Sequence, residues 1–235
     1  NAIAKSTNSF AFGDGAQATF MDAYAFGRGA IANGYGSYAF GSAGVDSSGI
    51  ATGYTYANGD FAFAIGQGAQ SLKKGAISLG TQAITNGEFG LSLGYKTEAQ
   101  QNYTTAVGYR AIAAGTLSCA IGVYSTAMGN NSVSIGGGYA SGNSSMAMLG
   151  SESSGLGALS VGYRSGYFQG LLWRPLQFTK AIGDYSIAIG NGVIAEAYCS
   201  LVLGRQNITS TSYSKTTWVA SDPLFVIGNG DGGSF

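Results

Sequence analysis

The chain has 235 residues, 40 of them Gly and only 9% charged, with 11 basic residues balancing 11 acidic ones. That balance leaves no basic footprint for nucleic acid, and the absence of any His removes the Ser-His-Asp, Cys-His and His-based zinc chemistries. No apolar run reaches the roughly 18 residues of a membrane-spanning helix, so we expect a non-enzymatic segment with no cofactor, no metal and no direct membrane insertion.

In chain order, Asn1 to Asn8 reads as a fraying or capping start. A pentad ending in Gly then recurs at Gly13, Gly27, Gly41, Gly53, Gly66, Gly80, Gly94, Gly108, Gly122, Gly136, Gly150, Gly162, Gly190, Gly204 and Gly228, mostly 14 residues apart. Such a fixed period predicts a repeat architecture. Two positions before the anchor stands Ala or Ser in 12 of 15 copies, and the position before it is apolar in 14 of 15. This alternation is strand periodicity, with one small-residue face and one large-residue face. A second pentad, such as Ala83-Ile84-Thr85-Asn86-Gly87, ends seven residues after an anchor. Each coil is therefore expected to hold two strands of about five residues and two tight turns. The second strand, more polar on its other face, reads as the solvent side.

The intervals Gly41–Gly53 and Gly53–Gly66 predict two trimmed coils, with Ser42 to Ser48 bulging as a loop. Gly162 to Gly190 predicts two periods, with Leu176 replacing the middle anchor. Gly204 to Gly228 predicts one period with about ten extra residues. Lys73-Lys74, Arg110, Arg164 and Arg205 read as turn residues. Cys119 and Cys199, about six coils apart, would be roughly 28 Å from each other, too far for a bridge; both read as buried small apolar residues.

Only the Ala, Ser and Gly face fits inside so thin a coil. The large face would then run along the outside as an apolar stripe about 70 Å long, too large for a soluble monomer to expose. Closed cyclic self-association is the usual solution, through Phe12, Phe26, Phe40, Ile65, Leu79, Leu93, Val107, Ile121, Ile135, Val161, Ile189 and Leu203. The reverse placement, with the large face inside, would weaken that argument without removing it.

Ser132-Val133-Ser134-Ile135-Gly136, Ser186-Ile187-Ala188-Ile189-Gly190 and the paired half-repeats resemble the head repeats of trimeric autotransporter adhesins of the YadA type. The resemblance covers about Ser9 to Gly204. It implies an all-β fold, a left-handed parallel β-roll solenoid of about 14-residue coils assembled as a parallel homotrimer. It also implies a place at the bacterial cell surface, outside the cell, and binding of a host, prey or other cell-surface ligand such as a glycan or envelope protein. The chain departs from the pattern in using Phe and Tyr in its N-terminal coils, in the interruption at 163–185, and in having no coiled-coil stalk after the repeats. The end, Ser221 to Gly230, is similar to a junction in phage-tail-fibre-like proteins that carry a C-terminal self-cleaving chaperone. The absence of an initiating Met leads us to expect a piece of a longer chain whose targeting segment lies elsewhere.

We divide the chain into head repeats at 1–204, with an aromatic insertion at 163–185, and an irregular C-terminal coil at 205–235 with a loop at 206–222. The insertion concentrates Tyr163, Arg164, Tyr167, Phe168, Trp173, Arg174 and Phe178, and Pro175 bars it from a central ladder. Aromatics and Arg dominate recognition hot spots, so these residues are ligand-binding candidates; the other reading is a plug packed on the roll. Tyr213 and Trp218 in the Ser- and Thr-rich loop are further candidates. A purely structural shaft, with recognition elsewhere, is the alternative for the whole chain.

Overall fold

The computed structural model describes residues 1–45, 48, 51–163, 165–169 and 172–230; for residues 44–45, 51–52, 165–169 and 172–176 it describes the backbone only. Arg164 and the tail at 231–235 lie outside the described residues. These contain no helix, and they divide into two compact units, Asn1–Leu117 and Ser118–Phe235. Each unit is a parallel β-solenoid.

In the first unit the anchor strands, from Phe10–Phe12 to Thr105–Tyr109, pair in parallel and in register: Ala11 opposite Ala25, Ala25 opposite Ala39, Ala39 opposite Ala64, Ala64 opposite Ser78, Ser78 opposite Ser92, and Ser92 opposite Ala106. A second sheet of two-residue strands, from Ile3–Ala4 to Ile112–Ala113, runs beside it. The small residue of every anchor strand after the first faces its counterpart from the second sheet, and all of these are fully buried; Ala25, Ala64, Ala106, Ala18, Ala57 and Ala113 are examples. The large residues lie outside, so the placement with the small face inward is the one the chain adopts. The reason is volume: two sheets this close leave room for a methyl or a hydroxymethyl group. Where the inward residue is polar, it spans the gap. Ser71, Ser78, Thr85 and Ser92 each donate a hydroxyl to a carbonyl of the other strand, Phe63, Gln70, Ile77 and Ile84 respectively, at 2.6–2.8 Å. Those carbonyls have a second lone pair to offer.

The anchor glycines are required by the stacking. Gly94 has φ 129°, and a Cβ there would overlap the carbonyl oxygen of Gly108 one coil on. The corners between strands also need positive φ, but here non-glycine residues often supply it: Phe89 at 53°, Tyr103 at 58° and Leu117 at 59°.

Several expectations are corrected. The coil strands are two to five residues long, not about five throughout, because the corners consume the rest. Gly53 is not an anchor. Ala39 pairs with Ala64, 25 residues later, so a single coil spans the interval and carries an antiparallel pair, Gly44–Val45 with Ala51–Gly53, in place of two trimmed coils and a loop.

In the second unit Ala120 pairs with Ser134, Ser134 with Ala147, Ala147 with Ser160, Ser160 with Ala188, Ala188 with Val202, and Val202 with Val226. The shortened coils are these, with 13-residue intervals at Ser134–Ala147 and Ala147–Ser160. They shift the register by one, so Ala147 points inward, Met148 outward, and Leu149 takes a corner at φ 60° just before Gly150. Leu176 does not replace an anchor: Gly162 pairs directly with Gly190, and the interval is one coil plus an antiparallel hairpin, Ser165–Gln169 with Leu172–Gln177. A second-sheet strand follows the hairpin, with Lys180–Ala181 pairing between Glu152–Ser153 and Ile194–Ala195. Gly204 pairs with Gly228, the single long period expected. Arg205 ends a strand and is not a turn residue. Neither cysteine is fully buried: Cys119 is half-buried on the outer face, and Cys199 is exposed at a corner with φ 56°.

Candidate functional site

Two features stand out from the coil: the uncharged outer stripe of the anchor sheet, and the insertions that interrupt the coil. The stripe is dictated by the alternation within each pentad. In the first unit it presents Phe12, Phe26, Phe40, Ile65, Leu79, Leu93 and Val107. In the second it presents Ile121, Ile135, Val161, Ile189 and Leu203. Each lies on the outward face, and none is buried within the chain. Phe12 is 68% exposed, and Ile65, Leu93, Ile121 and Ile189 are 41–42% exposed. At the N-terminal end the coil repeat stacks rings directly: Tyr24 on Tyr38 at 5.0 Å, Phe26 on Phe40 at 4.8 Å, and Tyr38 on Phe63 at 4.8 Å between centroids. The inter-strand spacing of about 4.8 Å sets that distance, and offset stacking holds the rings flat.

The insertion hairpin sets Tyr167 opposite Arg174 and Phe168 opposite Trp173; the side chains of these four lie outside what the structure describes, as does Arg164 entirely. At its base Tyr163 is 65% exposed at the end of its strand. Phe178 is half-buried, with the Lys180 ammonium 5.3 Å from its ring centroid, and Lys180 also pairs with Glu152 at 2.6 Å.

The hairpin leaves the coil at a fixed place. Thr179, buried at the corner where the coil resumes, donates its hydroxyl toward the carbonyls of Tyr163 at 3.0 Å and Gly190 at 2.9 Å. Thr55, at the corresponding corner after the insertion in the first unit, does the same toward Ser42 at 3.0 Å and Gly66 at 2.7 Å. Both insertions thus close with the same threonine latch.

The stretch 206–222 has no regular strand but is docked on the coil end. Asn207 uses its side chain as a substitute for a strand: its Oδ1 accepts from the Ile194 N–H at 2.7 Å, and its Nδ2 donates to the Ile194 carbonyl at 3.0 Å. The sequence analysis did not single out this residue, which falls in what reads there as a loop. Its spacing of 13 from Ile194 was the available signal. Tyr213 is half-buried over a crevice lined by Ile194, Val202, Pro223 and Val226. Trp218 is 61% exposed.

Titration adds little. Burial pushes the Cys119 thiol up, so it stays protonated at neutral pH. Among the described residues no group of His, Cys, Asp or Glu could hold a metal ion.

The model of the YadA head domain repeat (two copies) matches residues 4–30, 71–97, 86–111, 113–138 and 177–192. No curated protein matches the chain. The matched segments skip both insertions and stop short of the docked C-terminal stretch. Stacked parallel coils of about 14 residues, small residues inside and a family match on the regular coils lead to one conclusion: the regular coils of this chain are built as YadA-like head repeats.

Proposed function

We propose that three copies of this chain associate through their outer anchor-sheet stripes, and that the resulting head holds a bacterial cell to another surface. The observation that carries the reading is the stripe itself. It is uncharged in both units, outward-facing and apolar over every coil, and surfaces of that kind mark association sites. The match of the regular coils to the YadA head repeat supports the trimer as the closed form. The head is non-catalytic and lies outside the cell.

The ligand is a cell-surface glycan or envelope protein, and the hairpin at 165–177, which carries Tyr167, Phe168, Trp173 and Arg174, binds it. Hot spots are rich in these residue types. The test is adhesion of the purified protein to intact target cells and to their isolated envelope. Trp173→Ala or Tyr167→Ala should abolish retention while the oligomer mass persists. Unchanged retention would remove the hairpin from the site and turn attention to Trp218. A head that retains no cell or envelope component at all would favour the structural-shaft reading.

A further inference from the structure

Beyond that hairpin, the geometry points to a separate binding cleft for a neutral oligosaccharide on the second sheet of the first unit, at the foot of the Gly44–Gly53 insertion. Two adjoining cavities, of about 340 and 220 Å³, lie on this face and share Gly53 and Gln70. Gly53, the last residue of the insertion, lines both, and a Cβ on it would lie 3.5 Å from the Gln70 amide nitrogen. Tyr54 follows it and lines the larger cavity, with its ring laid against Gly29; a Cβ on Gly29 would come within 2.8 Å of that ring.

The lining has the chemistry of sugar recognition. A sugar hydroxyl donates and accepts at once, and side-chain amides offer both functions side by side. Gln17, Asn33 and Gln70 supply them in the larger cavity, and Gln70 and Gln82 in the smaller. The polar groups are held in advance: Thr19 donates to Asn33 Oδ1 at 2.7 Å, Asn33 Nδ2 donates to the Tyr56 hydroxyl at 3.2 Å, and that hydroxyl donates to Asn58 at 2.9 Å. Tyr54, half exposed, and Tyr56 provide the flat apolar faces on which a pyranose stacks. Few convergent polar groups on a partly apolar concave wall is the usual make-up of a small-molecule site.

Other occupants fit less well. A strand-like peptide needs an open sheet edge, but Tyr56–Ala57 is already paired on both sides, with Ile31–Ala32 and Gln70–Ser71. An acidic glycan or phosphate needs excess positive charge, but among the described residues the larger cavity has no charged side chain, and the smaller has Lys96 offset by Glu98. Two adjoining cavities that share Gly53 and Gln70 call for a chain of at least two sugar units. The cleft lies on the sheet opposite the apolar stripe, so self-association leaves it open.

The test uses the oligomeric protein on an array of neutral oligosaccharides (cello-, malto- and chitotetraose, N-acetyllactosamine-terminated chains) with sialylated and sulfated counterparts. We expect retention of a neutral member. Tyr54→Ala and Gln70→Ala should each weaken it by about tenfold, about 1.4 kcal/mol, while Trp173→Ala leaves it unchanged. In the unsubstituted protein the same sugar should shift the NMR signals of the Gln70 and Gln82 side-chain amides, a readout that does not depend on any variant folding. Absence of neutral-sugar retention, binding restricted to charged glycans, or binding indifferent to Tyr54 and Gln70 with unmoved amide signals would each overturn the assignment. Because oligomer mass and the Trp173 variant are scored separately, loss of this cleft does not decide the hairpin, nor the reverse.

Discussion

Thr55, Thr97 and Thr179 occupy the same corner of three coils, and their hydroxyls meet different fates. Thr55 and Thr179 satisfy carbonyls at the feet of the insertions. Thr97, in an uninterrupted coil, has a buried hydroxyl with no partner among the described residues. A buried, unpaired hydroxyl costs about 1–3 kcal/mol. Thr97→Val should therefore stabilise the protein by about 1 kcal/mol, and Thr55→Val should destabilise it by about the same or more, measured as opposite shifts of the denaturation midpoint. Equal and same-sign shifts would mean the corner hydroxyl does not distinguish a plain coil from an interrupted one. The anchor glycines give a harsher test. Gly94→Ala places a methyl against the Gly108 carbonyl at a φ of 129°. It should cost more than about 3 kcal/mol, because neither the backbone oxygen nor the dihedral can give way cheaply.

At the scale of elements, the two insertions explain where the sequence was legible and where it was not. The regular pentads declare themselves because Cβ size is limited on the inner face and glycine is required at the anchor, so composition and spacing both follow from geometry. Gly53 defeated that logic. It ends Ala51-Thr52-Gly53, which mimics an anchor pentad, yet it belongs to an antiparallel pair, opposite Gly44. Gly150 misled in the same way, since Leu149 takes the positive-φ corner and the inward residue moves to Ala147. Periodicity alone counts glycines and not pairings. The cleft at the foot of the first insertion was invisible for that reason, because Tyr54 and Tyr56 were read as belonging to an ordinary shortened coil. The candidate ligand residues of the second insertion were legible by composition, and their cross-strand pairing follows only from the hairpin register. Asn207 tests the coil end. Asn207→Ala leaves the Ile194 N–H and carbonyl without their side-chain partners. It should raise hydrogen exchange at Ile194 and through 206–222 without altering the first unit; unaltered exchange would mean that the stretch is held by its apolar crevice alone.

For the whole molecule, the stripe decides between a single chain and an assembly. Leu93→Asp puts a carboxylate on it, and in a trimer three such charges would be buried together without partners, a severe cost. That variant should disperse or unfold. A folded oligomer of it would show that the large face is not the interface. The two thiols offer an independent probe. Cys199 is exposed, while Cys119 lies half-buried on the outward face with its thiol held protonated. Association through that face should leave Cys199 readily alkylated and Cys119 protected until the assembly is dissociated. Equal labelling of both in the native protein would place Cys119 outside any interface.

The most direct test is the mass of the native protein in dilute buffer by sedimentation equilibrium. The account predicts a single species of three times the 23.8 kDa chain mass, persisting through dilution into the micromolar range. A stable, folded species of one chain mass under the same conditions would contradict it.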